Sequence, residues 1–203
     1  MRFEVSIRGA GPVGCTLALL LQQQGRSVVL VQHRKEASAS FRPIALSHAS
    51  RLILERAGAW RALAPTPIAS IHVSQQGGFG RTRMSAADAG VPALGYVVDY
   101  GVLLDALLAL ANDRGIPFEA APAEGLLAVH AEGASDETTR KEYGQDAVVA
   151  LVTASPGATS TAWERFTPDG PLALLPLDGR YGAVWGARAE QAAVERDRVF
   201  RQV

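Results

Sequence analysis

Residues 3–31 read FEVSIRGAGPVGCTLALLLQQQGRSVVLV, and this stretch decides the fold. Phe3, Val5 and Ile7 alternate with Glu4, Ser6 and Arg8, the period-two pattern of a strand. The turn Gly9-Ala10-Gly11-Pro12-Val13-Gly14 follows at once. Beyond it Val13, Leu17, Leu20, Leu21 and Gln24 recur at helical spacing, with small Gly14 and Ala18 on the inner side. Gly25 is placed to stop that helix. Val28-Val29-Leu30-Val31 is then a continuous apolar run, as a strand buried on both faces of a parallel sheet requires. Strand, glycine turn, helix and strand together have the size of one βαβ unit.

In that context Gly9-x-Gly11-x-x-Gly14 reads as a dinucleotide fingerprint. The first glycine allows the tight turn, the second lets a pyrophosphate approach the backbone, and the third lets helix and strand pack closely. Free N–H groups and the helix dipole favour the phosphates. Gly9, Ala10, Gly11, Pro12, Val13 and Gly14 are therefore the candidate phosphate cradle. The acidic residue expected after the second strand, to bind ribose hydroxyls, is replaced by Gln32. A glutamine can accept one hydrogen bond from a hydroxyl and donate another, but it lacks the charge-assisted contact of a carboxylate. The glycine turn alone leaves NAD and FAD open.

Composition narrows the function classes. The chain has 203 residues, 48% hydrophobic and 20% charged, an ordinary globular balance. Twenty Lys+Arg against twenty Asp+Glu leave no basic excess for a nucleic-acid backbone, so no nucleic-acid partner is expected. Cys15 is the single cysteine, which excludes an internal disulfide and a CxxC zinc site; no bound metal is expected. No apolar run reaches the ~18 residues of a membrane span, and the N-terminus does not read as a signal peptide, so the expected compartment is the cytoplasm. Any membrane contact must come from an apolar patch.

Further along, Glu36 to Pro43 reads as loop. Ala49 to Leu63 reads as a helix burying Leu52, Ile53, Ala57 and Trp60, broken by Pro65-Thr66-Pro67. Strands are expected at Ile68–Val73, Leu94–Val98, Ile116–Glu119, Leu126–Val129, Ala147–Thr153 and Tyr181–Trp185. Two short β runs lie within Trp163–Leu177, around the turn Thr167-Pro168-Asp169-Gly170. Leu103–Ala111 is a leucine-rich helix, Gln75 to Gly80 a glycine-rich turn, and Ala187–Val203 a charged segment with helical character. His33, His48, His72 and His130 show no partner at a telling spacing. Tyr143, Trp163 and Trp185 suit either a strand core or a ring-binding pocket.

Five segments together resemble the FAD-dependent aromatic hydroxylases of ubiquinone biosynthesis, a branch of the p-hydroxybenzoate hydroxylase-like flavoprotein monooxygenases. They are the glycine turn; Arg42-Pro43-Ile44-Ala45-Leu46-Ser47 with Leu52–Trp60; Gly78–Thr82 with Ala93–Val98; His130-Ala131-Glu132-Gly133; and Tyr143–Leu177, whose Trp163–Leu177 portion is the most specific. The resemblance implies an α/β fold: a Rossmann-like FAD-binding parallel sheet of the glutathione-reductase type, with a partial mixed β-sheet for substrate. It implies FAD as cofactor, NAD(P)H as reductant and O2 as co-substrate. The substrate it implies is an aromatic, polyprenylated ring, reached through peripheral contact with the inner membrane or with other ubiquinone-biosynthesis proteins. It also places Arg42 near the flavin and puts Glu132 and Gly133 in the position of the second flavin motif, usually Asp-Gly. Arg140 falls out of the expected register.

The resemblance groups residues 1–70 and 101–155 as a discontinuous FAD-binding region, and 71–100 and 156–203 as a partial substrate sheet. Two departures stand out. Only a dozen residues join Phe118 to Ala131, where the family runs through a β-meander, and Val203 precedes the family's third flavin motif. The expectation is a truncated, internally deleted hydroxylase. Two alternatives remain open at this point: a noncatalytic remnant that binds full-length hydroxylases, and an NAD-dependent dehydrogenase.

Overall fold

The structure is a computed structural model that describes residues 3–32, 41–121, 125–133, 141–155, 157 and 159–192. In chain order its elements are β1 (Phe3–Arg8), α1 (Pro12–Gln23), β2 (Val28–Val31), β3 (Pro43–Ser47), α2 (His48–Ala57), β4 (Thr66–Ile68), β5 (Ser70–Gln75) and β6 (Arg81–Ser85). They continue with β7 (Gly95–Asp99), α3 (Tyr100–Asp113), β8 (Phe118–Glu119), β9 (Gly125–His130), β10 (Gln145–Val152), β11 (Thr161–Thr167), β12 (Gly170–Leu177) and β13 (Arg180–Arg188). The chain divides into two compact units: Met1–Ser40 with Ala49–Ala64 and Tyr100–Thr139, and Phe41–His48 with Pro65–Asp99 and Arg140–Val203.

The first unit is built on a parallel sheet in the order β8-β2-β1-β9. All four residues of β2 are buried, which is why the sequence there is uninterrupted Val and Leu. Strand β1 buries Val5, Ser6 and Ile7. Helix α1 turns Gly14, Cys15, Ala18 and Leu19 inward, and α3 turns in Leu103, Leu104, Leu107 and Ala111. The two helices pack together, and Gln22 Nε2 donates to the Arg114 carbonyl at 2.8 Å. All three α-helices end alike. At α1 the Arg26 N–H reaches the Leu21 carbonyl and the Gly25 N–H reaches Gln22, with Gly25 at φ +75°. Gly58 and Gly115 close α2 and α3 by the same two-bond pattern, a geometry that glycine adopts without a Cβ penalty.

Helix α2 departs from expectation. Leu54 and Ala57 are its buried residues, whereas Leu52 is 52% and Ile53 49% exposed. Three consecutive apolar residues span a wider arc than one packing partner covers, so periodicity alone could not choose among them. The helix also stops at Ala57, and a short 3-10 turn at Trp60–Ala62 follows.

The second unit holds two sheets. One is six-stranded in the order β10-β13-β12-β11-β5-β6, antiparallel except where β11 runs parallel to β5. The other is the antiparallel trio β3-β7-β4. Ile68, Val97 and Ala162 form a core cluster, with Ile71, Leu94, Leu175 and Leu177 packed against it. The single strand expected over Ile68–Val73 is in fact two. Strand β4 ends at Ile68 in one sheet and β5 begins at Ser70 in the other, with the Ala69 N–H donating to the Ser160 carbonyl at the switch. Strand β10, grouped by the sequence with the flavin-binding region, pairs along its whole length with β13 in the six-stranded sheet. Strands β3 and β6 were not foreseen. Of the loop expected over Glu36–Pro43, residues 36–40 lie outside the described residues and Pro43 opens β3; of the helix expected over Ala187–Val203, Ala187 and Arg188 end β13 and residues 193–203 lie outside the described residues.

Candidate functional site

The parallel register of the first unit lines up three strand ends. Arg8 pairs with Val31 on one side and with His130 on the other. The chain therefore leaves β1, β2 and β9 at one level, placing Gly9, Gln32 and Ala131-Glu132 side by side at the carboxyl edge. In open α/β sheets this edge is where ligands bind. Hydrogen bonds hold the level: Gly9 N–H to the Val31 carbonyl at 2.8 Å, Ala131 N–H to the Arg8 carbonyl at 2.7 Å, and Gln32 N–H to the Glu119 carbonyl at 2.9 Å.

The three fingerprint glycines are not equivalent. Gly9 has φ +102°, and a Cβ there would stand 2.5 Å from the Ala131 carbonyl oxygen and 2.8 Å from Glu132 Cα. A Cβ on Gly14 would collide with the Gly9 carbonyl oxygen. These two glycines close protein onto protein. Gly11 is different: within 4 Å a Cβ there would meet a single atom, the Tyr100 hydroxyl, at 3.9 Å. The space in front of Gly11 is left open by the fold.

Helix α1 starts at this open glycine. Gly11 is its N-cap at φ −72° and ψ 179°, no side chain caps it, and Pro12 takes the first helical position. Proline has no N–H to leave unpaired, and its φ is preset for a helix. The first-turn N–H groups of Val13 and Gly14 then point outward at the positive end of the helix dipole, with no acidic residue in the first turn to neutralise them. Thr16 Oγ1 donates to the Pro12 carbonyl at 2.6 Å and Cys15 Sγ to the Ala10 carbonyl at 3.1 Å, fixing the turn from within. Cys15 is fully buried, as a small apolar packing group should be. This donor set suits a pyrophosphate.

Two polar side chains flank the cradle. Gln32 is half-buried at the end of β2. Glu132 is half-buried beyond β9, and its Oε2 lies 3.2 Å from His130 Nδ1. The sequence gave His130 no role; the signal available was the His-x-Glu spacing at a strand end, where both side chains point to one side. Tyr100, at the start of α3, is the other group missed. It follows Asp99, and nothing local in the sequence relates it to residue 11. Gly133 has φ +73° and follows Glu132.

Arg42 belongs to the second unit, where it is exposed and its backbone N–H donates to Asp99 Oδ2 at 3.0 Å. His33 and Arg140 lie outside the described residues. Tyr143 is 74% and Trp163 41% exposed, which sets them apart from a strand core, and Trp185 is half-buried. His72 stacks obliquely on Trp163 at 4.8 Å between ring centroids. Among the described residues no cluster of His, Cys, Asp and Glu is arranged to hold a metal ion, and no helix is long and apolar enough to cross a membrane.

Comparison with known proteins agrees with this geometry. Residues 2–146 match the family described as FAD binding domain. The chain is 27% identical over 222 residues to the 3-demethoxyubiquinol 3-hydroxylase of Escherichia coli, an alignment covering 90% of this chain and 56% of that protein. It is 28% identical over 225 residues to the ubiquinone hydroxylase UbiL of Rhodospirillum rubrum, covering 92% and 52%. The chain thus spans about half the length of the curated relatives it matches. Among solved structures, a variant of Klebsiella pneumoniae HpxO complexed with FAD superimposes with a TM-score of 0.69 at 16% identity, covering 92% of this chain and 57% of that one. The likeness supports the Rossmann-like fold expected from residues 3–31.

Proposed function

Because the chain belongs to the FAD binding domain family, we propose that Gly9–Gly14 hold the pyrophosphate of FAD in a monooxygenase that hydroxylates a polyprenylated aromatic ring of ubiquinone biosynthesis, with NAD(P)H and O2. The observation that carries this reading is the open face of Gly11 at the uncapped start of α1, level with Gln32 and Glu132 at the strand ends.

When bound, FAD supplies electron transfer from NAD(P)H and the activation of O2. The chain's own residues bind and orient. The Val13 and Gly14 N–H groups donate to phosphate oxygens, where Gly11 leaves room for them. Glu132 accepts a hydrogen bond from a ribose or ribitol hydroxyl, a charge-assisted contact that Gln32 on the other flank makes only in neutral form. Arg42 offers a guanidinium to phosphate or to negative charge on the reduced ring, a role that rests on the resemblance. The polyprenylated substrate implies peripheral contact with a bilayer.

The test is in two stages. Titration of the purified chain with FAD should quench flavin fluorescence with a saturable, stoichiometric endpoint and raise the melting temperature. NAD(P)H oxidation should then be coupled to oxygen uptake and to a hydroxylated product when a polyprenyl phenol is supplied. A well-folded chain that ignores FAD refutes the cofactor assignment. Flavin binding without hydroxylated product refutes the activity and leaves the binding site standing.

A further inference from the structure

The β5–β6 hairpin carries the most exposed large hydrophobic side chain among the described residues. Phe79 is 105% exposed at its tip, set between Gly78 and Gly80. The whole hairpin, residues 70–85, reads SIHVSQQGGFGRTRMS and contains two arginines, a histidine and no carboxylate. The other phenylalanines among the described residues are at least partly buried; Phe79 is fully exposed on a glycine-flanked turn.

The register shows what surrounds it. Arg81 pairs with Ser74, which pairs with Arg165 on β11, and Arg83 pairs with His72, which pairs with Trp163. Directly paired residues share one face of a sheet, so Arg81, Arg83, Arg165 and the half-exposed Trp163 stand together. Glu164, between Trp163 and Arg165, alternates in side-chain direction but borders the same groove as they do. Strands β5 and β11 are parallel and finish at the same end of the sheet, so Asp169, in the turn after β11, is the nearest carboxylate at that end. It lies two to three strand spacings from β6, roughly 10–14 Å, and is engaged by Gln191 Nε2 at 3.4 Å. Glu142 and Asp146 adjoin β10, the opposite edge of the sheet, at roughly 24 Å across five spacings. Asp88 is past the other end of β6, tied to Ser85. With a Debye length of about 8 Å at physiological salt, Glu142 and Asp146 are screened from Arg81 and Arg83, and Asp169 stands nearer to Arg165 than to either of them. A chain with no net charge thus has a locally basic corner with a protruding aromatic.

We propose that this hairpin is a membrane anchor, with Phe79 entering the interfacial region of an anionic bilayer while Arg81, Arg83 and Arg165 meet lipid phosphates. A protein-binding hot spot sits inside a ring of contacts that excludes water, whereas Phe79 stands alone on a tip. A lone aromatic beside guanidiniums fits the headgroup boundary, where aromatic rings and basic side chains are both favoured. The inference deepens the membrane-contact part of the proposed function and is independent of flavin binding.

Co-sedimentation with vesicles of phosphatidylglycerol and phosphatidylethanolamine, against phosphatidylcholine vesicles, tests it on the full chain. Binding should be confined to anionic vesicles and weaken with salt. Phe79→Ala should weaken it about tenfold or more, and Arg81→Ala with Arg83→Ala about fivefold each. Because Phe79 touches no core, circular dichroism melting of these variants should match the parent. A second readout uses Phe79→Cys labelled with an environment-sensitive dye; Cys15 is buried and stays unlabelled, and the emission should shift blue on anionic vesicles only. No binding to anionic vesicles, variants that bind like the parent, or an unmoved label each overturn the proposal. So does a concentration-dependent dimer that Phe79→Ala abolishes, which would give the tip to a second copy of the chain. FAD titration run beside these assays separates the two ideas: vesicle binding without flavin binding removes the cofactor reading and leaves the anchor.

Discussion

Gly11→Ala should leave the fold intact and weaken FAD binding, and the structure sets both magnitudes. The backbone at Gly11 is extended, φ −72° and ψ 179°, so alanine adopts it without strain. The added Cβ would meet only the Tyr100 hydroxyl, at an ordinary 3.9 Å. Two small terms then compete. Alanine reduces the entropy of the unfolded chain, a gain of about 0.4–1 kcal/mol. As an N-cap it is poorer than glycine, a loss of up to about 1 kcal/mol. They nearly cancel, and at this size about 1 kcal/mol corresponds to roughly 2–4 °C, so the melting temperature should move by no more than that. The ligand meets the substitution differently. A methyl group in front of the α1 N-terminus holds a pyrophosphate off the Val13 and Gly14 N–H groups. Losing one hydrogen bond to a charged partner costs about 1.5–3 kcal/mol, a tenfold to hundredfold weaker Kd. Fluorescence titration with FAD measures the second quantity and differential scanning calorimetry the first. If the variant binds FAD like the parent, the pyrophosphate does not lie against Gly11. If it loses FAD only as far as it unfolds, the open face has been misread.

Gly14→Ala should do the reverse: its Cβ collides with the Gly9 carbonyl, so the unfolding free energy from urea titration should fall by about 3 kcal/mol or more, whether or not flavin is present. Gln32→Glu should tighten FAD about tenfold by restoring a charge-assisted contact to a ribose hydroxyl; an unchanged Kd by calorimetry would remove Gln32 from the site. Glu4 gives a pH signature. Its carboxyl accepts from the Ser27 N–H and from Arg26, and these hold its pKa below the ordinary value. A depressed carboxylate stabilises the fold above its unfolded pKa, and that support is lost as pH falls through the folded value. Glu4→Gln should therefore lower the urea midpoint at neutral pH, and the difference should vanish in strong acid.

The first unit was legible because its signals are local and agree with one another. Alternation in β1, an unbroken apolar β2 and Gly25 at the end of α1 all point to one topology, whereas the helix expected over Ala49–Leu63 runs past Gly58 and is too long. What was missed has a physical cause in each case. Strand β3 is an edge strand that opens on Pro43, and proline argues against a strand in any reading that cannot see where the edges are. Strand β6 is exposed at Arg81, Thr82, Arg83 and Met84, so no buried face left a mark on the sequence. The split between β4 and β5 happens inside Ile68–Val73, a stretch whose pattern reads as one strand. It is fixed by the Ala69 N–H donating to the distant Ser160 carbonyl and by the Ala86 N–H donating to the Ala69 carbonyl, which periodicity does not encode.

The site was legible as a pattern but not as a division of labour. A fingerprint presents three glycines as equals, yet two of them exist because backbone fills the place of a side chain, and one exists because nothing does. The positive φ of Gly9 and the close approach of Ala131, one residue past a strand more than a hundred residues downstream, together make Gly9 obligatory. The same strand end explains how the chain manages without an acid after β2. Parallel pairing sets β9 directly against β1, so a carboxylate following β9 reaches the edge at the same level as Gln32 but on the opposite flank of the glycine turn. Glu132 is also one methylene longer than the aspartate usual at that place, and a longer carboxylate samples more rotamers. Its contact with His130 through Oε2 restricts that freedom and leaves Oε1, on the proposed reading, for a cofactor hydroxyl. On the proposed flavin reading, Gln32 and Glu132 form one arrangement in which Glu132, held by His130, carries the charge-assisted share of hydroxyl recognition.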